Sequence, residues 1–403
     1  MAGQNFHWCC LSDKININMN PEKLNQFYFE TGPIRPPSEA YSLLIRATRN
    51  CPWNRCAFCH TYRGCKFELR PAEDVIRDIE TARAITQGIK EFGWQNGFGN
   101  QPREVAAYIH SLATSNDSVR QVSLWQWAGG RSAFLQDANS IIMRHADLMR
   151  VVSALKANFP ELDRITSYCR SKTAAKKSVC ELTELREAGL TRIHVGMESG
   201  SDEVLKFMDK GMTAEDHVRG GINIRDAGIE LSEYYMPGLG GRKWSKGHAE
   251  QSAAVLNRIN PDFIRLRTLM VGETLSLWER VKSGEYDVLG EDEIIQETGD
   301  FISRLDFTGE LKSDHIVNLL PELEGKFPQS RQACLDTIDR YLAMPLRDRL
   351  NYRLGRRAGL YEKLDDIYDA SKYEKIDTAM RRVGVEAAEQ VDELIDGMKK
   401  HFI

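Results

Sequence analysis

The chain has 403 residues, a formal net charge of −4, 42% apolar and 28% charged residues, a composition that suits one large globular domain with an appendage, or two domains. No apolar run reaches the roughly 18 residues of a membrane-spanning helix, and the start "MAGQNFHWCCLSDK" lacks the basic stretch and apolar core of a secretory signal. Nine cysteines without an export signal point to a reducing, cytoplasmic setting rather than a disulfide framework, and the slightly acidic balance offers no general attraction to nucleic acid or anionic lipid.

Residues 1–40 read as an N-terminal extension. From Tyr41 to about Met270, β-type runs alternate with amphipathic helical ones: "YSLLIRA" (41–47), "SAFLQDA" (132–138), "RITSYCR" (164–170), "RIHVGMES" (192–199), "IELSEYYM" (229–236) and "DFIRLRTLM" (262–270). Leu148, Val151, Val152 and Leu155 recur at the spacing of a buried helical stripe. "AGL" and "AGI" at 188–190 and 227–229 read as glycine-ended helices entering the next strand. Six such units favour a parallel sheet with helices packed outside, a barrel or partial barrel over residues 41–275, with a doubly wound open sheet as the alternative. The glycine-rich stretch 88–131 reads as a loop plus one or two extra helices inserted after the first unit. Residues 276–403 read as a helical C-terminal region without further strands, ending in an amphipathic helix through Val391, Leu394, Ile395 and Met398.

The chemistry concentrates in "NCPWNRCAFCHTYRGC", directly after the first strand. Cys51, Cys56 and Cys59 give C-x4-C-x2-C, and Cys65 follows six residues later. A zinc site needs four ligands, usually with a second pair farther on, and no such pair exists. A redox pair leaves Cys51 without a role. Three thiolates suit an iron–sulfur cluster with one iron open to another ligand, and the loop lies where a barrel builds its site, at the C-terminal ends of the strands.

This loop resembles that of the radical S-adenosylmethionine (SAM) superfamily, in which three cysteines after the first strand of a partial (β/α)6 TIM-type barrel carry a [4Fe–4S] cluster. Cys56-Ala57-Phe58-Cys59 matches the second half of the family motif, and one extra residue separates Cys51 from Cys56; Cys65 is the alternative to Cys51. "IHVGMESGSDEVL" resembles the fourth strand of the Elp3/MiaB-like and coproporphyrinogen-dehydrogenase-like branches, which makes Glu198 the residue for the SAM ribose, since one carboxylate accepts both vicinal hydroxyls. By the same resemblance Phe58, the turn Gln136, Asp137 and Asn139, then Ser167 and Arg170, and the adenine wall Met236 and Pro237 are the remaining cofactor contacts. Arg265 and Arg267 share one face of the last strand and pair with Glu198, Glu230 or Glu233, or with an acidic group of SAM or the substrate. Tyr168, Cys169, Tyr234 and His194 are candidates for a later hydrogen or proton transfer.

The resemblance implies a radical SAM enzyme. A reducing partner such as flavodoxin or ferredoxin supplies an electron, SAM gives methionine and a 5′-deoxyadenosyl radical, and the radical takes hydrogen from a small or medium-sized metabolite. Modification of tRNA or protein, with the five arginines of "PLRDRLNYRLGRR" (345–357) as docking surface, and a non-enzymatic zinc module are the alternatives. Oligomeric state is left open.

Overall fold

A 3-10 turn over Pro37–Glu39 delivers the chain to β1 (Leu43–Arg46), the edge of an eight-stranded sheet. The computed structural model describes residues 21–99, 101–112, 115–382, 384, 390–391 and 394–395. β2 (Thr48–Arg49) and β3 (Glu68–Leu69) form an antiparallel ribbon at the base of the cysteine loop. The main sheet continues with β4 (Ser132–Gln136), β5 (Arg164–Cys169), β6 (Leu190–Glu198), β7 (Glu230–Tyr235), β8 (Phe263–Leu266), β9 (Glu310–Lys312) and β10 (Gly325–Lys326). Its spatial order is its sequence order, with every pairing parallel except the last. A doubly wound sheet reverses its strand order at a switch point. Strands added always on the same side give barrel winding, so the architecture is a partial TIM-type barrel of six β/α units with an added edge.

Strand alternation builds two layers. Leu43, Ile45, Leu135, Ile165, Ile193, Val195, Leu231 and Ile264 are all fully buried within the main apolar core; each such side chain contributes about 1.5–3 kcal/mol by leaving water. The opposite phase carries Phe134, Tyr168, His194 and Tyr234, whose rings touch in series with centroids 5.1, 5.8 and 5.8 Å apart. This aromatic layer fills the interior below the strand ends. Helices start and stop on local signals: Ser178 and Thr213 form reciprocal capping boxes with Glu181 and Asp216, and Gly189 and Gly228 end helices at φ 123° and 73°, where any side chain is strained.

The connection from β1 to β4 contains the long helix Ala72–Gln95 and then Pro102–Ser111 and Asp117–Trp127. The insertion read at 88–131 is therefore the end of one helix plus two more. Beyond residue 275 the structure corrects the all-helical expectation: β9 and β10 extend the sheet. Their five residues include three charged side chains, and Leu311 alone is buried, so no alternation marks them. Val391 and Ile395 are buried and Leu394 is 38% exposed, while Met398 lies outside the described residues.

The arginine-rich segment packs against the rest of the chain. It forms the helix Leu346–Arg357, and each of its arginines is engaged. Arg347 meets Asp377 at 2.5 Å, Arg349 and Arg353 converge on Asp292, Arg357 meets Glu291 at 2.6 Å, and Arg356 donates to the carbonyls of Leu319 and Tyr361.

Candidate functional site at the strand ends

The cysteine loop is held in place from several directions. Asn50 and Asn54 take φ of 65° and 42°, a region asparagine tolerates better than most residues. The Asn50 N–H donates to Asp137 at 3.0 Å, and Tyr62 donates its hydroxyl to the same carboxylate. The Trp53 indole donates to the Asp209 carbonyl at 2.5 Å and lies on Gly211, where a Cβ would come within 2.2 Å of the ring. The Ala57 N–H donates to the Met208 carbonyl at 2.9 Å, and its methyl joins an apolar cluster with Val204, Met208, Met236 and Leu277. A loop pinned in this way presents its thiols without further ordering cost.

Cys51, Cys56 and Cys59 line one cavity of about 320 Å³ at the C-terminal ends of the strands. Cys65 does not line it; its thiol points at the Thr61 carbonyl, 3.9 Å away. Burial pushes the Cys56 thiol up to about 11, against the pull of Lys210 and Arg170. Any metal loaded there therefore has to displace a proton.

Glu198 ends β6 with φ 66°, a conformation that costs a non-glycine residue about 1–3 kcal/mol and clusters at functional sites. The β6–β7 register slips between Gly196 and Glu198, the local irregularity by which a sheet re-aims a side chain. Gly196 makes this possible, since a Cβ there would lie 2.5 Å from Glu198 Oε1. That oxygen is 3.4 Å from Lys210 Nζ, while Oε2 is buried with no hydrogen-bond partner among the described residues.

The same cavity is lined by Phe58, Tyr168, Cys169, Arg170, Tyr234, Met236 and Arg267. Arg170 donates to the Lys210 carbonyl at 2.6 Å and lies over the Trp53 ring; burial lowers its pKa, and the cysteines oppose that shift. Burial also raises both Tyr168 and Tyr234, and moves Cys169 up to about 12.

Other expected contacts lie elsewhere. Gln136 turns to the N-terminal extension, accepting from the Gly32 N–H at 2.7 Å and donating to the Ile34 carbonyl at 2.7 Å. Asp137 clamps Arg46 and the loop. Asn139 accepts from the Arg170 N–H at 3.0 Å and donates to Thr173 at 2.9 Å. Ser167 donates to the Leu135 carbonyl. Pro237 lines a separate small cavity beside Ile294 and Leu319. Arg265 is paired, but with Asp314 rather than Glu198, Glu230 or Glu233; Asp314 follows β9, a strand the sequence did not reveal. His194 is fully buried, 3.7 Å from Glu39, and burial drives it down to about 4.

Lys210 is the residue the sequence reading missed. It sits in "FMDKGMT", a turn flanked by Asp209 and Gly211 at positive φ, and nothing local separates it from an ordinary surface lysine. The fold buries it over Phe58, with Nζ 5.5 Å from the ring centroid.

The residues present suit the two cofactors of the resembled family. No three His, Cys, Asp or Glu side chains among the described residues converge tightly enough to hold one ion. In a [4Fe–4S] cubane each thiolate binds its own iron, so three spaced thiols on one wall suit a cluster better than zinc. The orphaned buried oxygen of Glu198 suits a hydroxyl donor, and the half-buried Arg170 and buried Lys210 suit a carboxylate beside the cluster.

A family model described as the radical SAM superfamily matches residues 142–249. That stretch excludes the cysteine loop, so motif and match are separate observations. The chain is 24% identical over 282 residues to a tRNA uridine(34) acetyltransferase of Methanocaldococcus jannaschii, covering 66% of this chain and 49% of the relative. The chain thus spans about half the length of that curated relative. Among solved structures, the radical SAM methyltransferase TsrM from Kitasatospora setae aligns with a TM-score of 0.44 at 14% identity, over 89% of this chain and 66% of that one. The coproporphyrinogen III oxidase HemN from Escherichia coli aligns at 0.41 and 14%, over 72% and 57%. Among the described residues no helix is long and apolar enough to cross a membrane. Residues 142–249 thus match the radical SAM superfamily, whose cofactors are a [4Fe–4S] cluster and S-adenosylmethionine.

Proposed function

We propose that the chain is a radical SAM enzyme acting on a small or medium-sized metabolite, with Cys51, Cys56 and Cys59 as cluster ligands. Bound there and reduced by an external partner, the cofactors supply methionine and a 5′-deoxyadenosyl radical able to take hydrogen from an unactivated carbon. The observation that carries this reading is one cavity lined both by three cysteine thiols and by Glu198, whose backbone is strained and whose carboxylate is half-unpaired. Glu198 orients the ribose, Lys210 and Arg170 take the carboxylate, and Met236 and Phe58 supply apolar walls. The aromatic layer of Phe134, Tyr168, His194 and Tyr234 closes the barrel below and keeps water from a reactive site.

The test is anaerobic reconstitution with iron and sulfide, then SAM and dithionite, assayed for 5′-deoxyadenosine. Absorption near 400 nm and nucleoside release are the expected results; a colourless protein that leaves SAM intact ends this reading.

A second reading, RNA modification, draws on the activity of the tRNA uridine(34) acetyltransferase to which the chain is similar. The internal pairing of the helix Leu346–Arg357 weighs against that helix as a docking surface. Binding of bulk tRNA that weakens steeply with added salt would favour the second reading over the first.

A further inference from the structure

Three cations line the cavity, and SAM brings one carboxylate. Lys210 and Arg170 stand on the cysteine side, where both act on Cys56 and where Lys210 also meets Glu198. Arg267 stands apart from that pair. Its charge is felt by His60, Tyr168, Tyr234 and His315, and its guanidinium has no carboxylate or carbonyl partner among the described residues. Arg265, two residues earlier on the same face, has Asp314.

The backbone under Arg267 is firmly held. Its N–H donates to the Tyr235 carbonyl at 3.0 Å, and the Leu269 N–H donates to the Pro237 carbonyl at 2.9 Å. The N–H and hydroxyl of Thr268 both donate to Asn318 Oδ1, at 3.1 and 3.0 Å. A half-buried guanidinium on a rigid backbone lacks the counter-charge that a paired one has, and a ligand that supplies it is bound strongly. His315 shares this wall of the cavity. Its Nδ1 accepts from the Val317 N–H at 3.4 Å, which leaves Nε2 as the proton-bearing nitrogen of a neutral ring.

We propose that Arg267, with the His315 Nε2–H beside it, binds an anionic group of the substrate, a carboxylate or a phosphate. The inference rests on the proposed function, because it gives Lys210 and Arg170 to the cofactor. A guanidinium offers two parallel N–H groups to two oxygens, a geometry carboxylate and phosphate share. An anion fixed on this wall leaves the uncharged remainder of the substrate to extend toward the cysteine side, where hydrogen is removed.

The test is calorimetric titration of the cluster-loaded, SAM-saturated protein with sodium acetate and with sodium sulfate, at ionic strength held constant with chloride. One-to-one binding of either anion is expected: acetate points to a carboxylate on the substrate, sulfate to a phosphate. Arg267→Gln weakens it roughly tenfold or more, the worth of a charge-assisted hydrogen bond, and Arg267→Lys retains part of it. Arg347→Gln, which removes the same charge elsewhere, leaves it in place. The proposal is overturned if neither anion binds, if Arg267→Gln binds equally well, or if binding is seen only without SAM, which would assign Arg267 to the cofactor. Measuring 5′-deoxyadenosine on the same wild-type preparation separates the two readings. Its absence sinks the proposed function, whereas failed titrations on protein that cleaves SAM sink only this inference.

Discussion

Arginine is conspicuous in two regions of the molecule, and the regions use it in opposite ways. The helix Leu346–Arg357 carries five arginines in twelve residues, yet Arg353 and Arg357 have side chains only 2% and 4% exposed and are paired with Asp292 and Glu291. The cavity is lined by two guanidinium groups, Arg170 and Arg267, and among the described residues no acid meets Arg267 at its strand end. The dense cluster is internal scaffolding that docks the C-terminal region onto the helix Glu291–Ser303; the sparse one faces the cavity. Local charge density therefore says little about available charge, because availability depends on where the carboxylates of other elements fall.

The comparison breaks most completely at the cysteine loop. Cys56→Ala is expected to lose the absorption near 400 nm and reduce 5′-deoxyadenosine to background, whereas Cys65→Ala, whose thiol lies off the cavity, keeps both. A Cys65→Ala protein without cluster would move the third ligand and the site with it. Next in size, Arg353→Ala leaves Asp292 without its most buried partner and is expected to cost about 3–5 kcal/mol in urea unfolding, the toll of breaking a buried pair. Arg267→Ala, with no partner to strand, should stay within about 0.5 kcal/mol of wild type. Equal losses in the two variants would mean that Arg267 is scaffolding as well.

Gly196→Ala sharpens the site further. Its methyl collides with Glu198 Oε1, so SAM affinity by equilibrium dialysis should fall by roughly 1–3 kcal/mol, the cost of leaving a buried polar group misplaced. Unchanged affinity would remove Glu198 from the cofactor's partners. The smallest effect concerns pH. His315 is held down at about 4 by burial, Arg267 and Arg357, while a bound anion raises it, so protonation and anion binding favour one another. Sulfate, which does not titrate in this range, is expected to bind more tightly as pH falls from 8 to 5.5, and His315→Gln should flatten that slope. For stability the sign is opposite. His194 and His248 are both held near 4 by burial, so the unfolded chain takes up more protons below pH 6.5 and the urea midpoint should drop as pH falls from 7 toward 4.

The chain alone determined the six barrel strands, the position of the cysteine triplet and Glu198 at the end of its strand. Each rests on local regularities: apolar alternation, helical stripes, glycine stops and a motif of adjacent residues. Only the tertiary structure decided which polar side chains face the cavity. Gln136 ends β4 and Asp137 follows it, yet the N-terminal extension and the loop itself consume them. Arg265 and Arg267 look alike in the sequence and differ because Asp314, just beyond a strand without alternation, reaches one of them. Lys210 enters the site from a turn with no distinguishing pattern. A hydrogen bond or ion pair is settled by partners from other elements of the fold, and short-range periodicity carries no record of where they will lie.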